Sequence, residues 1–349
     1  MRDILSRLLP PAVFYLVSFL ILAALLPWAA PSEPEPLPPA GTLSIDRSLT
    51  LGPTQASSSS GAGPMSPRVC PAQGLVRTPE PVSLPILMYH DISETGKGGS
   101  TIAYDTLRAH LLALKGAGYH TVSLQQIADF VLWGEPLPDK PILLTFDDGY
   151  LSNYEKLFPL LEDLNMQASI FLIGVHTGRT EYKGTCSSIN PHFSYAQARE
   201  MLESGLVSLG SHTYDMHRYA PLEPKDQARE GVLPLKKEGR SLYCLRLAED
   251  FRLSAKLLTR YTGTAPIALA YPQGLYTPES EAARRQAGYL LSFTVEPEIN
   301  VLRPGAAESL SLLGRYSIDD ISAQALLKLL NKETAALGQK DCVTPCPEW

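Results

Sequence analysis

From Leu84 onward the chain alternates short apolar runs with amphipathic stretches, which restricts it to folds in which buried parallel strands are joined by helices. Strands are predicted at Ile86 to Tyr89, Thr121 to Ser123, Ile142 to Phe146, Ser169 to Ile173, Val207 to Gly210, Ile267 to Tyr271 and Leu290 to Thr294, with another near Leu310 to Tyr316. Between them, Tyr104 to Lys115 sets Leu107, Leu111 and Leu114 on one helical face, and Tyr154 to Leu164 does the same with Leu157, Leu160, Leu161 and Leu164. Gly116 and Gly118 end the first of these helices. About seven or eight βα-type units predict an α/β fold, a (β/α) barrel either whole or distorted and incomplete, with its chemistry at the C-terminal ends of the strands.

The first 80 residues have a different texture. An uncharged apolar run, Pro11 to Ala30, follows Arg2 and Arg7, and it is about as long as a helix crossing a hydrocarbon core of roughly 30 Å. Residues 1–30 are therefore read as an N-terminal membrane anchor or signal segment. Trp28 ahead of Ala29 and Ala30 fits a small-x-small cleavage site poorly, which favours an uncleaved, single-pass transmembrane helix. With the arginines inside, the remainder faces the extracytoplasmic side, periplasmic or extracellular. Residues 31–80 are rich in Pro, Ser, Gly and Ala and show no periodicity, as expected of a disordered linker. The folded domain is placed at 84–335 and a C-terminal tail at 336–349.

A formal charge of −6 and a pI near 5.7 leave no basic surplus for phosphates, so nucleic acid is not an expected partner. Five cysteines are too few for a disulfide scaffold. Cys342 and Cys346 are spaced for a local bridge, with Cys186 to Cys244 as the alternative.

Three segments combine a strand with residues that do chemistry. In Leu143-Leu144-Thr145-Phe146-Asp147-Asp148-Gly149-Tyr150 an apolar strand ends in two adjacent carboxylates. Neighbouring side chains at a strand end diverge, so one can bind a metal while the other acts as a base. Taken alone, Asp-Asp-Gly equally describes a surface turn. In Ser208-Leu209-Gly210-Ser211-His212-Thr213-Tyr214-Asp215-Met216-His217 a second strand runs into two histidines five apart, a spacing that suits a loop rather than one face of a helix. Two imidazoles and one carboxylate at separate strand ends compose a three-ligand site with open positions, the form a hydrolytic metal centre takes. In Ala268-Leu269-Ala270-Tyr271-Pro272-Gln273-Gly274 a strand meets a turn whose backbone N–H groups could stabilise an oxyanion. By itself that pattern is only a turn.

Together and in this order, the three motifs resemble those of the NodB-homology polysaccharide deacetylases of carbohydrate esterase family 4, over roughly residues 84 to 320. The resemblance implies that Asp147 is the base and that Asp148, His212 and His217 hold the metal. The wider histidine spacing and Pro85-Ile86-Leu87-Met88-Tyr89-His90-Asp91 resemble the branch that deacetylates poly-β-1,6-N-acetylglucosamine, where an early-strand histidine is the general acid; His90 takes that role here. Gln273 stands where many members have an aromatic residue, and Ala270 where many have the arginine that orients the catalytic aspartate. Arg315, after the late apolar run, is the candidate substitute. Tyr271, Pro272 and Gln273 are assigned to the oxyanion or substrate, with Tyr214 and Tyr271 as sugar-stacking candidates. His110, His120, His176 and His192 fall outside the motifs and are read as structural or solvated.

The expected activity is removal of N-acetyl groups from an N-acetylglucosamine-containing extracellular or envelope polysaccharide, releasing acetate. A divalent ion, Zn2+ or alternatively Co2+, Ni2+ or Mn2+, is the expected cofactor. Peptidoglycan or chitin-like oligomers are rival substrates, and a non-catalytic glycan-binding module on the same fold is the rival class.

Overall fold

Eight parallel strands build the sheet that carries the motifs. They are β1 (Ile86–Tyr89), β2 (His120–Thr121), β3 (Pro141–Phe146), β4 (Ala168–Leu172), β5 (Val207–Ser211), β6 (Ala268–Ala270), β7 (Leu291–Phe293) and β8 (Tyr316–Ser317). The order across the sheet is β7-β6-β5-β4-β3-β1-β8, with β2 beside the start of β3. The computed structural model describes residues 80–341 apart from 97–98, 218–221 and 223–230. The predicted anchor, most of the linker, Cys70, Cys342 and Cys346 thus lie outside the described residues. Among the described residues no helix is long and apolar enough to cross a membrane.

The sheet curls into a half-barrel whose edges meet at one place. Leu313 donates its N–H to Ser292 of β7 at 2.8 Å and accepts from Thr294 at 2.9 Å, while the same segment continues into β8 beside β1. One stretch of backbone therefore touches both edges, the arrangement of a distorted (β/α) barrel. Strand pleating then sorts the side chains. On β3, Leu143 packs in an inner cluster with Ile86, Phe171, Ala270, Phe293 and Leu313. Ile142, Leu144 and Phe146 join an outer cluster with Leu107, Leu111, Leu160 and Leu161 from the flanking helices. The same alternation carries Thr145 and Asp147 to the inner side at the C-terminal end.

Local chemistry explains where elements depart from the predicted ones. The strand expected at Thr121 to Ser123 stops at Thr121, because Ser123 caps the helix Leu124–Trp133 in a capping box with Gln126. The helix expected over Tyr154 to Leu164 opens as a π-turn, Asn153–Leu157, and becomes α-helical at Phe158–Leu164, where Pro159 can donate no N–H to a preceding turn. Near Leu310 to Tyr316 a 3-10 turn, Ala307–Leu310, precedes the two residues of β8. The last helix, Ala323–Asp341, runs past the boundary expected at residue 335. A strand at Val82–Leu84, pairing antiparallel with Asn300–Leu302, adds to the predicted set. Cys186 and Cys244 are both free thiols, so the alternative bridge between them is corrected.

Candidate active site

Each of the three motif loops holds a non-glycine residue in the left-handed region: Asp148 at φ 72°, Thr213 at φ 70° and Gln273 at φ 58°. Such residues cost of order 1–3 kcal/mol each and persist only where the surroundings over-determine them. At Asp148 the reversal keeps at one mouth two consecutive carboxylates that a continuing strand would send to opposite faces: Oδ2 of Asp147 and Oδ1 of Asp148 lie 3.9 and 3.6 Å from Nε2 of His212. Gly149 follows at φ 81°, and a Cβ there would meet Leu172 at 3.2 Å, so the sharp turn is sterically reserved for glycine.

Asp147 is buried and gripped by Arg315, whose Nη1 and Nη2 donate to Oδ1 at 2.7 Å and Oδ2 at 2.8 Å. Arg315 is itself fully buried. It also donates from Nε to the Thr294 carbonyl at 2.9 Å, and its guanidinium lies over the Phe171 and Phe293 rings at 5.7 and 5.8 Å. Burial pushes the Asp147 carboxyl upward, but the Arg315 charge and the Arg315 hydrogen bonds, with His212 acting in the same direction, outweigh it and hold the group below the ordinary carboxylate range.

Asp148 faces the histidine pair. Its Oδ1 is buried with no hydrogen-bond partner and lies 3.6 Å from Nε2 of His212 and 3.6 Å from Nε2 of His217. One ligand atom from each of the three residues falls within 4.8 Å of the others, a grouping able to hold a metal ion. Nδ1 of His212 is 2.8 Å from the Ala270 carbonyl, which can only accept, so Nδ1 carries the proton and Nε2 presents a lone pair to the site. Burial drives His212 down to about 4 against the pull of the two aspartates, which keeps the imidazole neutral near neutral pH. The donor set, the fixed tautomer and the unbonded carboxylate oxygen fit a divalent cation.

His90 follows β1, and its carbonyl accepts from Nδ2 of buried Asn153 at 2.9 Å. Tyr89, the residue before His90, accepts the N–H of Asp147 at 2.9 Å, which sets His90 beside the two aspartates at the same end of the sheet. Gln273 is exposed in the turn Pro272–Gly274, directly after β6 and Tyr271. Tyr271 requires a correction: it is fully buried, with its hydroxyl donated to Glu281 at 2.9 Å, so its ring cannot stack on a sugar. Pro272 is buried as well, so of these three assigned residues only Gln273 presents its side chain to solvent. Tyr276, 43% exposed and stacked on Tyr271 at 6.0 Å, offers the aromatic surface that Tyr271 does not.

Four residues at the site escape the sequence reading. Tyr150 hydrogen-bonds Asp148, Asn153 fixes His90, and Asp250 with Ser254 supports the histidine loop. The helix pair leaves a signal, since Asp250 and Ser254 stand four apart beside the buried stripe of Leu247, Phe251 and Leu258, where apolar residues are expected. Of the histidines read as structural, His110 bonds the Ile321 carbonyl at 2.7 Å, while His176 and His192 are buried with ring centroids 5.1 Å apart.

A family profile for polysaccharide deacetylases matches residues 134–292, which include both aspartates, both histidines and the Gln273 turn but neither His90 nor Arg315. YxkH of Bacillus subtilis, assigned by name to the polysaccharide deacetylases, is 30% identical over 64% of this chain and 68% of its own length. The poly-β-1,6-N-acetyl-D-glucosamine N-deacetylase of Escherichia coli K12 is 29% identical over 56% of this chain, and the match spans only 31% of that enzyme. A solved de-N-acetylase from Aggregatibacter actinomycetemcomitans is 26% identical, covers 71% of this chain and 99% of its own, and superposes with a TM-score of 0.62.

Proposed function

The chain belongs to the polysaccharide deacetylases, and from that premise we propose that it removes N-acetyl groups from a β-1,6-linked N-acetylglucosamine polysaccharide, using a divalent cation held by Asp148, His212 and His217. The observation that carries this reading is the division of labour between two adjacent carboxylates. Asp147 has both oxygens committed to Arg315, while Asp148 keeps a buried oxygen unbonded between two imidazole nitrogens. The β-1,6 linkage is favoured by the E. coli relative and by His90 at the end of β1.

When bound, a divalent cation acts as a Lewis acid that lowers the pKa of water and polarises the acetamide oxygen. Asp147, ionised and held in place by Arg315, accepts a proton from the attacking water. The backbone N–H at Gln273 donates to the oxygen that becomes negative as water adds to the acetyl carbon. His90 protonates the sugar nitrogen as the carbon–nitrogen bond breaks, leaving acetate and a free amine. The uncharged run from Pro11 to Ala30 behind two arginines supports a membrane-anchored, extracytoplasmic enzyme acting on envelope or secreted glycan.

The test is acetate release by the full chain from β-1,6- and β-1,4-linked N-acetylglucosamine oligomers, with metal content measured on the same sample. Release from the β-1,6 series with one cation per chain is expected. Release confined to the β-1,4 series moves the substrate to chitin-like or peptidoglycan strands. A chain that retains metal yet releases acetate from neither series is a binding module.

A further inference from the structure

We propose that Asp250 is a positioning residue for the metal-binding histidines, clamping the loop between His212 and His217 in the shape that turns both imidazoles toward Asp148. The inference rests on the reading of those histidines as ligands. Asp250 lies midway along the helix Arg240–Thr262 and grips the backbone between the two histidines. Its Oδ1 accepts the N–H of Tyr214 at 2.8 Å and its Oδ2 the N–H of Asp215 at 2.8 Å. One carboxylate thus fixes two successive peptide planes. Consecutive N–H groups around a left-handed residue form a concavity that attracts an anion, and here the protein fills it from its own helix.

The next inward turn of the same helix completes the brace. Ser254 is buried, and its hydroxyl meets that of Ser211 at 2.7 Å, whose oxygen in turn accepts the N–H of Thr213 at 3.0 Å. Thr213 uses its own hydroxyl to accept from Met216 at 3.1 Å. On the other side, the carbonyls of Thr213 and Tyr214 accept from Gly174 at 3.0 Å and Val175 at 2.8 Å. Gly174 is required there, since a Cβ would lie 2.6 Å from the Tyr214 ring. The loop is therefore bonded through its backbone on two sides.

The need for such a brace follows from the spacing. Histidines five apart cannot share one face of a regular helix, and a β-branched residue at φ 70° is not a conformation the loop would hold unaided. With the two N–H groups unclamped, the second histidine loses its fixed distance from the first. A purely structural aspartate would affect stability alone, whereas a positioning residue changes the metal site of the folded chain.

The experiment is a titration of the full, metal-stripped chain with Zn2+, and separately with Co2+ read by its visible absorption, for wild type, Asp250→Ala, Asp250→Asn and His212→Ala. Asp250→Ala is expected to weaken Zn2+ binding by about 10- to 100-fold, the range seen when groups supporting metal ligands are removed, and to alter the Co2+ spectrum. Asp250→Asn, with one accepting oxygen, is expected to fall in between. His212→Ala separates the two claims: wild-type affinity there ends the metal reading itself. Loss of binding in His212→Ala beside wild-type affinity and spectrum in Asp250→Ala overturns the role of Asp250 alone. Where Asp250→Ala does not fold, Asp250→Asn decides, and wild-type affinity and spectrum in that chain overturn the proposal equally.

Discussion

Arg315 reaches Asp147 across 168 residues of sequence and meets both of its carboxylate oxygens, one nitrogen to each, with both side chains buried. Removing one member of such a pair strands the other. Arg315→Ala is expected to cost about 3–5 kcal/mol of unfolding free energy, measured by denaturant titration, because an unpaired carboxylate remains buried. Arg315→Lys keeps a charge but offers no planar fork, so a smaller loss is expected together with a shift of the acid limb of the rate profile to higher pH. The sign follows from the depressed carboxyl of Asp147: the pair stabilises above the ordinary aspartate value and loses that contribution as pH falls through the lower folded value. A loss below about 1 kcal/mol for Arg315→Ala would mean that the pair is no more than a surface-grade contact.

Asp147→Asn tests the division between the two carboxylates. The amide keeps the shape but cannot take a proton, so acetate release is expected to fall by about 10²- to 10⁴-fold. Zn2+ affinity is expected to stay near wild type, since Asp148 and not Asp147 supplies the oxygen between the two imidazoles. Asp148→Asn should show the reverse emphasis, with weakened metal binding as the primary loss. Equal metal loss in both variants would remove the distinction.

The strand pattern and the three motif loops are legible in the sequence because each rests on local chemistry: apolar runs, a reversal at Gly149, and histidines beyond the end of β5. Pairing across the barrel is legible only in part. Arg315 can be suspected from the alanine at position 270, yet its contact with Asp147 depends on Leu313 closing the sheet between β7 and β1, which no local pattern encodes. Tyr271 is misassigned for a related reason. Its place after β6 suggests the rim, but Glu281 from the following helix draws the hydroxyl inward, and the ring packs with Phe251 and Tyr289. Asp250 escapes notice because a carboxylate on an amphipathic helix ordinarily faces solvent, and its task is set by a loop some three dozen residues earlier.

Gly210 ties the barrel interior to the site. A Cβ there would sit 2.4 Å from the ring of Phe171, which in turn supports the Arg315 guanidinium. Gly210→Ala is expected to destabilise by about 1–3 kcal/mol through overpacking and to lower acetate release beyond what that loss of folded protein explains. The comparison is made at a temperature where both chains are fully folded by circular dichroism. Unchanged turnover per folded molecule would show that Phe171 can shift without disturbing Arg315.

His176 provides the pH test of the folded chain, independent of catalysis. Burial drives it to about 4, with the charge of His192 acting in the same direction and Asp148 opposing, against an ordinary value of 6.5. His192 is lowered too, first by burial. A histidine depressed on folding binds its proton more readily in the unfolded chain, so its contribution is complete above the unfolded value and disappears as pH falls through the folded one. Between pH 6.5 and 4, His176 alone accounts for on the order of 3 kcal/mol. The measurement is the unfolding free energy of the chelator-treated chain at about pH 7 and about pH 4.5, on either side of most of that window, for wild type and His176→Gln. The absolute stability of the variant is set aside, because losing the ring also disturbs its contacts with Tyr182 and His192. The informative quantity is the drop between the two pH values, which should be smaller in His176→Gln. Asp147 contributes nearly equally at both, since its carboxyl titrates below this window. Identical drops in the two chains would show that His176 takes up its proton in the folded state as easily as in water.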